Sequence, residues 1–410
     1  MKSRTLSLAF LAVCLPLNAL GWNLSDHREM ARLALEDVSR DWRLDESVEI
    51  HPLSSFLEKL RSIRPELGDA WQFSYYLKIN PKIDIGAVES LRDPEGSPQG
   101  KKTLTPIEIL SLYATDADDG RDQDLFVRDG KGNPQPMFPD QKWFGAIQGP
   151  NSQAFRHMEK PPFSLKHPVS TFGFPFRAIG EASRRIEIYF DLSGLAFALD
   201  EDYWGWRFLA GGLHYLQDLH QPFHTGQITP VLLKQGLGVL LSWGWDEKGF
   251  MGSFVHVVSN AHRFFETYVA DPQGRDGGMR DKALSALRGT NLDKSRDFRD
   301  ASNRLYPDLS RAIAAMTGKA LTGREEFYSD GDKGKSNSDP EDFIREGPAF
   351  AEANRRVFEI VTDRFRSAGA ATRAYVKAAI DKRKKGRDPG DFLMELDDHL
   401  GPSLVEERTE

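Results

Sequence analysis

The stretch that decides how this chain is interpreted reads Gly212-Leu213-His214-Tyr215-Leu216-Gln217-Asp218-Leu219-His220-Gln221-Pro222-Phe223-His224. His214 and Asp218 are four residues apart, so on a helix their side chains point in the same direction. Pro222 disfavours helical backbone at Gln221, which predicts that the helix ends there and that His224 folds back toward the pair. Two imidazoles and a carboxylate gathered in this way suit Zn²⁺. For the His–Asp pair alone, a hydrogen-bonded core pair is the alternative.

A second pair of the same kind follows about forty residues later. In Asn260-Ala261-His262-Arg263-Phe264-Phe265-Glu266, His262 and Glu266 share the same four-residue spacing, with aromatic residues between them. In isolation such a pair is typical of an exposed helix face. Two pairs together with His224, in one chain, favour a metal site with more than one ion.

Helical periodicity dominates the rest of the chain. It predicts helices over Asp26–Val38, Ala178–Leu199 and Asp202–Leu219, and a pair of helices within Ala349–Lys382. Polar, glycine- or proline-rich connections are predicted at 80–104, 117–162, 271–300 and 318–347. The expected fold is mostly α, a multi-helix globular domain with long inserted loops. We assign residues 22–320 to this domain and residues 321–410 to a C-terminal helical extension packed on it.

Composition agrees with a packed globular chain. The 410 residues are 40% apolar and 28% charged, which excludes collagen-like, coiled-coil and wholly disordered proteins. The net charge is −7 and no arginine-rich tail is present, which argues against nonspecific binding of duplex DNA.

The first 21 residues have the pattern of a cleaved signal peptide. Lys2 and Arg4 precede an apolar run, Leu6–Leu20, that is followed by the small residue Gly21. Cleavage there would start the mature chain at Trp22 and predicts an exported protein, periplasmic or secreted. The only cysteine, Cys14, lies within this segment, so the predicted mature chain has no thiol.

Three further blocks support a resemblance to a known family. Trp22-Asn23-Leu24-Ser25-Asp26-His27 places a histidine five residues after the predicted mature N-terminus, and Tyr113-Ala114-Thr115-Asp116 and the histidine of Phe155-Arg156-His157-Met158 lie further along. Together with the two histidine–carboxylate pairs, these blocks resemble the superfamily of zinc-dependent phospholipases C and single-strand-specific nucleases, which are all-helical enzymes with three zinc ions.

The resemblance implies three sets of zinc ligands. One set is Asp116, His157, His214 and Asp218; the second is His224, His262 and Glu266; the third is Trp22, His27 and the bridging Asp218. Two alternatives stay open: Asp118 or Asp119 in place of Asp116, and His167 in place of His157.

The resemblance also implies hydrolysis of a phosphodiester by metal-activated water, with Asp116 as the catalytic residue that positions or deprotonates the water. We favour a phospholipase C acting on phospholipid at a membrane surface, because Tyr113–Asp116 and Glu266 resemble the phospholipases. The insert Val231–Phe254 is also rich in apolar residues that could contact lipid, core packing being the alternative.

The Trp22–His27 spacing favours the other branch, a nuclease acting on single-stranded nucleic acid. A third possibility is an exported helical protein with purely structural zinc. No obligate protein partner is predicted.

Overall fold

The computed structural model describes residues 24–63, 102–118, 156–161, 179–243, 245–270, 277–295, 297–323, 347–386 and 388–400. Within these ranges the chain is mostly helical and contains little strand, which confirms the predicted α character. The helices there are α1 (Leu24–Glu36), α2 (Leu53–Ile63), α3 (Pro106–Tyr113), α4 (Ala182–Ala198), α5 (Asp202–Asp218), α6 (Pro222–Thr225), α7 (Pro230–Trp243), α8 (Trp245–Ala270), α9 (Gly277–Ser285), α10 (Phe298–Thr317), α11 (Pro348–Lys384) and α12 (Pro389–Leu400).

In the described ranges, four short strands form two pairs that join segments distant in sequence. β1 (Val48–Glu49) pairs antiparallel with β2 (Thr103–Leu104), with Val48 opposite Leu104. β3 (Glu159–Lys160) pairs antiparallel with β4 (Ile179–Gly180), with Glu159 opposite Gly180. The second pair fixes the segment just after His157, which bears on the site described below.

The first of two large apolar cores is built around the α4–α5 pair. Helices α4 and α5 make the most extensive contact in the described chain, and α2, α3 and α12 pack around them. On α5, Gly211 and Gly212 lie where a Cβ atom would come within 2.6 Å of the Tyr189 ring and 2.0 Å of the Tyr375 hydroxyl. Glycine therefore allows the close approach of α4 and α11 to the helix that carries His214.

The second core is formed by α7, α8, α10 and part of α11, with Phe264, Phe265 and Tyr306 among its buried aromatic residues. Helix α11 has 37 residues, so it is about 55 Å long. Val357 lies in the second core and Val376 in the first, so α11 joins the two. The boundary predicted at residues 320–321 stays a prediction.

Two details of the secondary structure differ from the sequence-based expectation. The pair of helices predicted within Ala349–Lys382 is one continuous helix, α11, because no proline interrupts that stretch. The connection predicted at 271–300 contains the short helix α9. Its buried residues Ala283 and Leu284 join the second core, so tertiary packing stabilises a segment whose own pattern is weakly amphipathic.

The start of α3 is fixed by its sequence. Thr105 accepts a hydrogen bond from the backbone N–H of Glu108, and the Glu108 carboxylate accepts one from the backbone N–H of Thr105. Pro106 occupies the first turn, where its missing N–H costs nothing. This capping fixes where α3 begins; the helix ends at Tyr113, and the turn containing Asp116 and Asp118 follows it.

No helix in the described ranges combines the length and the apolar character needed to cross a membrane.

Candidate metal centre

The C-terminal half of α5 carries the first pair of the site. His214 and Asp218 are completely buried, and His214 Nε2 lies 3.1 Å from Asp218 Oδ2. His157 approaches from the segment before β3, with its Nδ1 at 2.8 Å from both Asp218 Oδ2 and His214 Nε2. Ligands bound to a tetrahedral zinc at about 2.0–2.1 Å lie about 3.3 Å apart. The three atoms therefore have roughly the spacing of ligands around one small ion.

A second group shares His214 and adds His27 from α1 and Asp118 from the turn after α3. Asp118 Oδ1 lies 3.6 Å from His214 Nε2, and Asp118 Oδ2 lies 3.9 Å from His27 Nε2. His27 Nε2 also lies 3.4 Å from Asp218 Oδ1. All of these side chains are buried, and the His27 and His214 rings stack with their centroids 4.1 Å apart. Asp218 thus has one oxygen facing each of the two groups.

The third group consists of His224, His262 and Glu266. Helix α5 ends just before Gln221, whose backbone is extended, and Pro222 begins the short helix α6 that carries His224. His262 and Glu266 lie one turn apart on α8, with His262 Nε2 at 2.7 Å from Glu266 Oε1. His224 Nε2 is 4.0 Å from the same oxygen. The predicted chain reversal at Pro222 therefore brings His224 to the pair on α8.

Hydrogen bonds at the other ring nitrogen orient three of these histidines. His214 donates its Nδ1–H to the carbonyl of Ala114 at 2.6 Å, and His27 donates its own to Gln217 Oε1 at 2.7 Å. His224 donates its Nδ1–H to the carbonyl of His157. Each bond leaves Nε2 directed into the cluster, the arrangement found at most histidines that bind a metal.

Several ligand-type atoms in the cluster are buried without a hydrogen-bond partner among the described residues. They are the Nε2 atoms of His27, His224 and His262 and the Oδ1 atom of Asp218. A buried polar atom left in this state costs about 1–3 kcal/mol. His262 Nε2 lies close to Glu266 Oε1 but lacks the geometry of a hydrogen bond to it. Metal ions coordinated by these atoms would satisfy them, so the residues fit a metal cofactor.

Charge coupling around Asp218 shifts the pKa values of the first two groups. Burial opposes ionisation, but His214, His224 and His157 outweigh it and hold the Asp218 pKa well below its usual value. Burial also opposes protonation of His214, yet the carboxylates of Asp218 and Asp118 raise its pKa to about 9. Burial raises the pKa of Asp118 above its ordinary value. These shifts favour an ionised Asp218 beside a protonated His214 when no metal is bound.

In the third group, burial is the largest cause of the pKa shifts. It lowers the pKa of His224 to about 4 and that of His262 well below its usual value, so both imidazoles are neutral near pH 7. Burial likewise raises the pKa of Glu266 well above its usual value. Burial also lowers the pKa of His157, a member of the first group, well below its usual value. Neutral imidazole is the form that binds a metal.

The structure brings together most of the residues singled out from the sequence. His157, His214 and Asp218 form one group, and His224, His262 and Glu266 form another. His27 Nε2 lies 3.4 Å from Asp218 Oδ1, and His27 forms a third group with Asp118 and His214. Trp22 and the alternatives Asp119 and His167 lie outside the described residues.

Asp116 differs from the expectation that it is a ligand and the catalytic carboxylate. Its Oδ2 lies 3.4 Å from Arg207 Nε, and it belongs to none of the buried groups that could hold a metal within the described ranges. Asp118, which the sequence analysis kept as an alternative, takes that place beside His27 and His214. Both carboxylates lie in the turn that follows α3, where Arg207 on α5 engages Asp116 while Asp118 faces His27 and His214.

Two glutamines that the sequence motifs did not single out hold proposed ligands in place. Gln217 accepts the hydrogen bond that orients His27, and Gln221 donates from Nε2 to Glu266 Oε1 at 3.0 Å. Both lie between Gly212 and His224, at completely buried positions one residue before and three residues after Asp218. A buried amide next to a predicted ligand was the signal that could have identified them.

Comparison of the chain with protein-family models, curated proteins and solved structures finds no match. What the site does is therefore inferred from the chemistry of these buried residues.

Proposed function

We propose that this chain is an exported zinc-dependent phosphodiester hydrolase, and specifically a phospholipase C that cleaves the glycerol-side phosphodiester of phospholipids. One observation carries the proposal: the described residues contain three groups of buried histidines and carboxylates, and Asp218, a member of one group, lies within 4 Å of a histidine of each of the other two. A single structural ion needs one closed set of ligands. Three adjacent groups, two of which share His214, fit a cluster of ions built for chemistry.

The donor atoms support zinc as the metal. The groups contain five histidines with Asp118, Asp218 and Glu266, and they contain no cysteine. Imidazole suits zinc, copper, iron and nickel, whereas Mg²⁺ and Ca²⁺ prefer sites made of oxygen atoms. We assign one zinc to His157, His214, Asp218 and Asp118, and a second to His224, His262 and Glu266. A third would lie at His27 and Asp218, with the main-chain amine and carbonyl of Trp22, as the family resemblance implies.

Zinc ions in such a cluster supply positive charge and lower the pKa of a coordinated water to near 7. The residues of the chain then have defined roles. Asp218 bridges two of the groups, and Gln221 holds Glu266 in place through its hydrogen bond. We transfer to Asp118 the water-positioning role that the sequence analysis gave Asp116, because Asp118 faces the histidines. Hydrolysis of a phosphodiester needs mainly such positioning and charge neutralisation.

Exposed leucines on α7, the helix that follows His224 along the chain, support a lipid substrate. On α7, which lies between His224 and the helix carrying His262, Leu237 is 42% exposed and Leu241 is 84% exposed. Lys234 is exposed one turn earlier on the same face. Aliphatic side chains with a neighbouring lysine suit contact with a membrane surface.

The test compares two substrates. The protein beginning at Trp22 with a free amine is assayed on phosphatidylcholine vesicles and on single-stranded DNA, each with and without a chelator. We expect chelator-sensitive release of diacylglycerol with the DNA intact. Chelator-sensitive DNA cleavage without lipid turnover would identify the nuclease branch instead. Unfolding on chelation, with neither substrate cleaved at full metal occupancy, would leave only a structural role for the metal.

The exposed leucines give a second prediction. Leu241→Asp is expected to lower turnover on vesicles about 10-fold, because burial of a leucine side chain in an apolar phase contributes about 1.5–3 kcal/mol. Turnover of a short-chain phosphatidylcholine below its micelle concentration should be unchanged. The matched control is Leu292→Asp, since Leu292 is 40% exposed but lies outside α7. An equal loss on both substrates would contradict membrane contact by α7.

Metal uptake should depend on pH in a definite direction. His214, with a pKa of about 9, carries a proton at pH 7, and the raised pKa of Glu266 favours its protonated form. Both must lose that proton to bind a metal, so zinc binding should release protons and its apparent affinity should rise from pH 6 to pH 8. Calorimetric titration in buffers of different ionisation enthalpy measures the protons released. Proton uptake, or an affinity that falls with pH, would contradict the assignment.

A further inference from the structure

A buried ion pair fixes the turn that carries Asp118. This turn, defined here as residues 114–118, follows α3, and its Asp116 Oδ2 lies 3.4 Å from Arg207 Nε on α5. The Arg207 guanidinium also stacks 4.1 Å from the Tyr113 ring centroid and donates to the Tyr203 hydroxyl at 3.3 Å. Asp116 is only 4% exposed and Arg207 only 9% exposed. The guanidinium is thus held by two aromatic residues as well as by the carboxylate.

The same turn is held at two more points, both on its backbone. Arg156, which is completely buried, donates from Nη2 to the carbonyl of Ala117 at 3.0 Å. His214 donates its Nδ1–H to the carbonyl of Ala114 at 2.6 Å. With the turn anchored at residues 114, 116 and 117, little freedom remains for the direction of the Asp118 side chain.

Arg207 is seven residues before His214 on α5, so both side chains lie on the same face of one helix. That helix therefore carries two proposed ligands, His214 and Asp218, and also the arginine that anchors the turn. A rigid element of this kind holds the Asp118 carboxylate at a fixed distance from His214, where Oδ1 is 3.6 Å from Nε2.

We propose that the Asp116–Arg207 ion pair is a positioning device for Asp118 and that Asp116 is not itself a metal ligand. The pair holds the 114–118 turn against α5 so that the Asp118 carboxylate faces His27 and His214. This inference rests on the proposed function only in requiring a metal at the centre.

The experiment measures metal binding and not turnover. The full chain is stripped of metal and titrated with Co²⁺ against a competing chelator, and visible absorption reports the ligand set of each ion. Asp118→Asn should lose the absorption of one ion. Asp116→Asn and Arg207→Gln should keep every ion but bind the most affected one about 10–100-fold more weakly, the usual effect of losing a residue that orients a ligand. Arg207→Lys, which keeps the charge, should recover part of that loss.

Two further variants separate positioning from general damage to the fold. The double variant D116N/R207Q should bind Co²⁺ no more weakly than either single variant, because residues that act as one pair are not additive. Arg373→Lys is the matched control. Arg373 is 2% exposed and donates to the carbonyls of Ala34, Leu287 and Asn291, away from the cluster. The Arg373→Lys replacement should leave Co²⁺ affinity unchanged while lowering thermal stability.

Two results would overturn the proposal. Loss of one ion's absorption in Asp116→Asn, as in Asp118→Asn, would make Asp116 a ligand. Unchanged Co²⁺ affinity in both Asp116→Asn and Arg207→Gln would remove the positioning role. If the unmodified chain took up no Co²⁺ or Zn²⁺, the proposed function would fail first and this inference with it.

Discussion

Replacement of Asp218 by asparagine is expected to lower the proposed phosphodiester hydrolysis by at least about 10³-fold, because metal ions of the kind we propose that it holds supply several kcal/mol of transition-state stabilisation. Asp218 Oδ2 lies 2.8 Å from His157 Nδ1, and Oδ1 lies 3.4 Å from His27 Nε2. Asparagine keeps the shape of the side chain and removes its charge. Metal analysis of the purified variant should show fewer zinc ions per chain, since Asp218 faces two of the groups.

The control for this variant is Asp191→Asn. Asp191 is also buried, at 5% exposure, but it pairs with Lys382 at 3.0 Å on the α4–α11 contact. Its replacement should lower stability without changing zinc content. An Asp218→Asn protein with full metal content and full turnover would show that Asp218 is not a shared ligand.

Removal of metal is expected to lower the melting temperature by about 10 °C or more. A ligand present at a thousand times its dissociation constant stabilises the folded state by about 4 kcal/mol per site. Without it, Asp118, Asp218 and Glu266 remain buried beside His27, His224 and His262, whose Nε2 atoms have no hydrogen-bond partner within the described part of the chain. Thermal unfolding followed by circular dichroism, before and after dialysis against a chelator, measures the change.

Readdition of Zn²⁺ should restore the original melting temperature, whereas Mg²⁺ should not, because the donor set is rich in imidazole. His262→Ala offers a matched variant, since it removes one ligand from the group on α8 and should reduce the response to Zn²⁺ without abolishing it. A melting temperature that does not respond to the chelator at all, in a chain shown to contain zinc, would contradict a buried metal centre.

Local patterns predicted much of the architecture that carries the site. The spacing of His214 and Asp218, and of His262 and Glu266, predicted that each pair lies on one side of a helix, and both pairs do. Pro222 predicted the end of α5 and the return of His224. These predictions succeed because helix periodicity and the missing N–H of proline act within a few residues.

Predictions that depended on distant contacts succeeded less well. The short helix α9 was expected to be a connection, because its stability comes from packing against α1 and α11 and not from its own pattern. The roles of Gln217 and Gln221 were missed for the same reason. Each amide acquires its role only when a partner from another helix, His27 or Glu266, is brought to it.

The sequence by itself therefore determined that the chain is mostly helical and which histidine–carboxylate pairs share a helix face, because both follow from the regular geometry of neighbouring residues. Only the tertiary structure decided that Asp118, and not Asp116, faces the histidines. The two carboxylates stand two residues apart in a turn, where no regular periodicity sets the direction of a side chain. Arg207, 91 residues away along the chain, engages Asp116, while Asp118 is left facing His27 and His214.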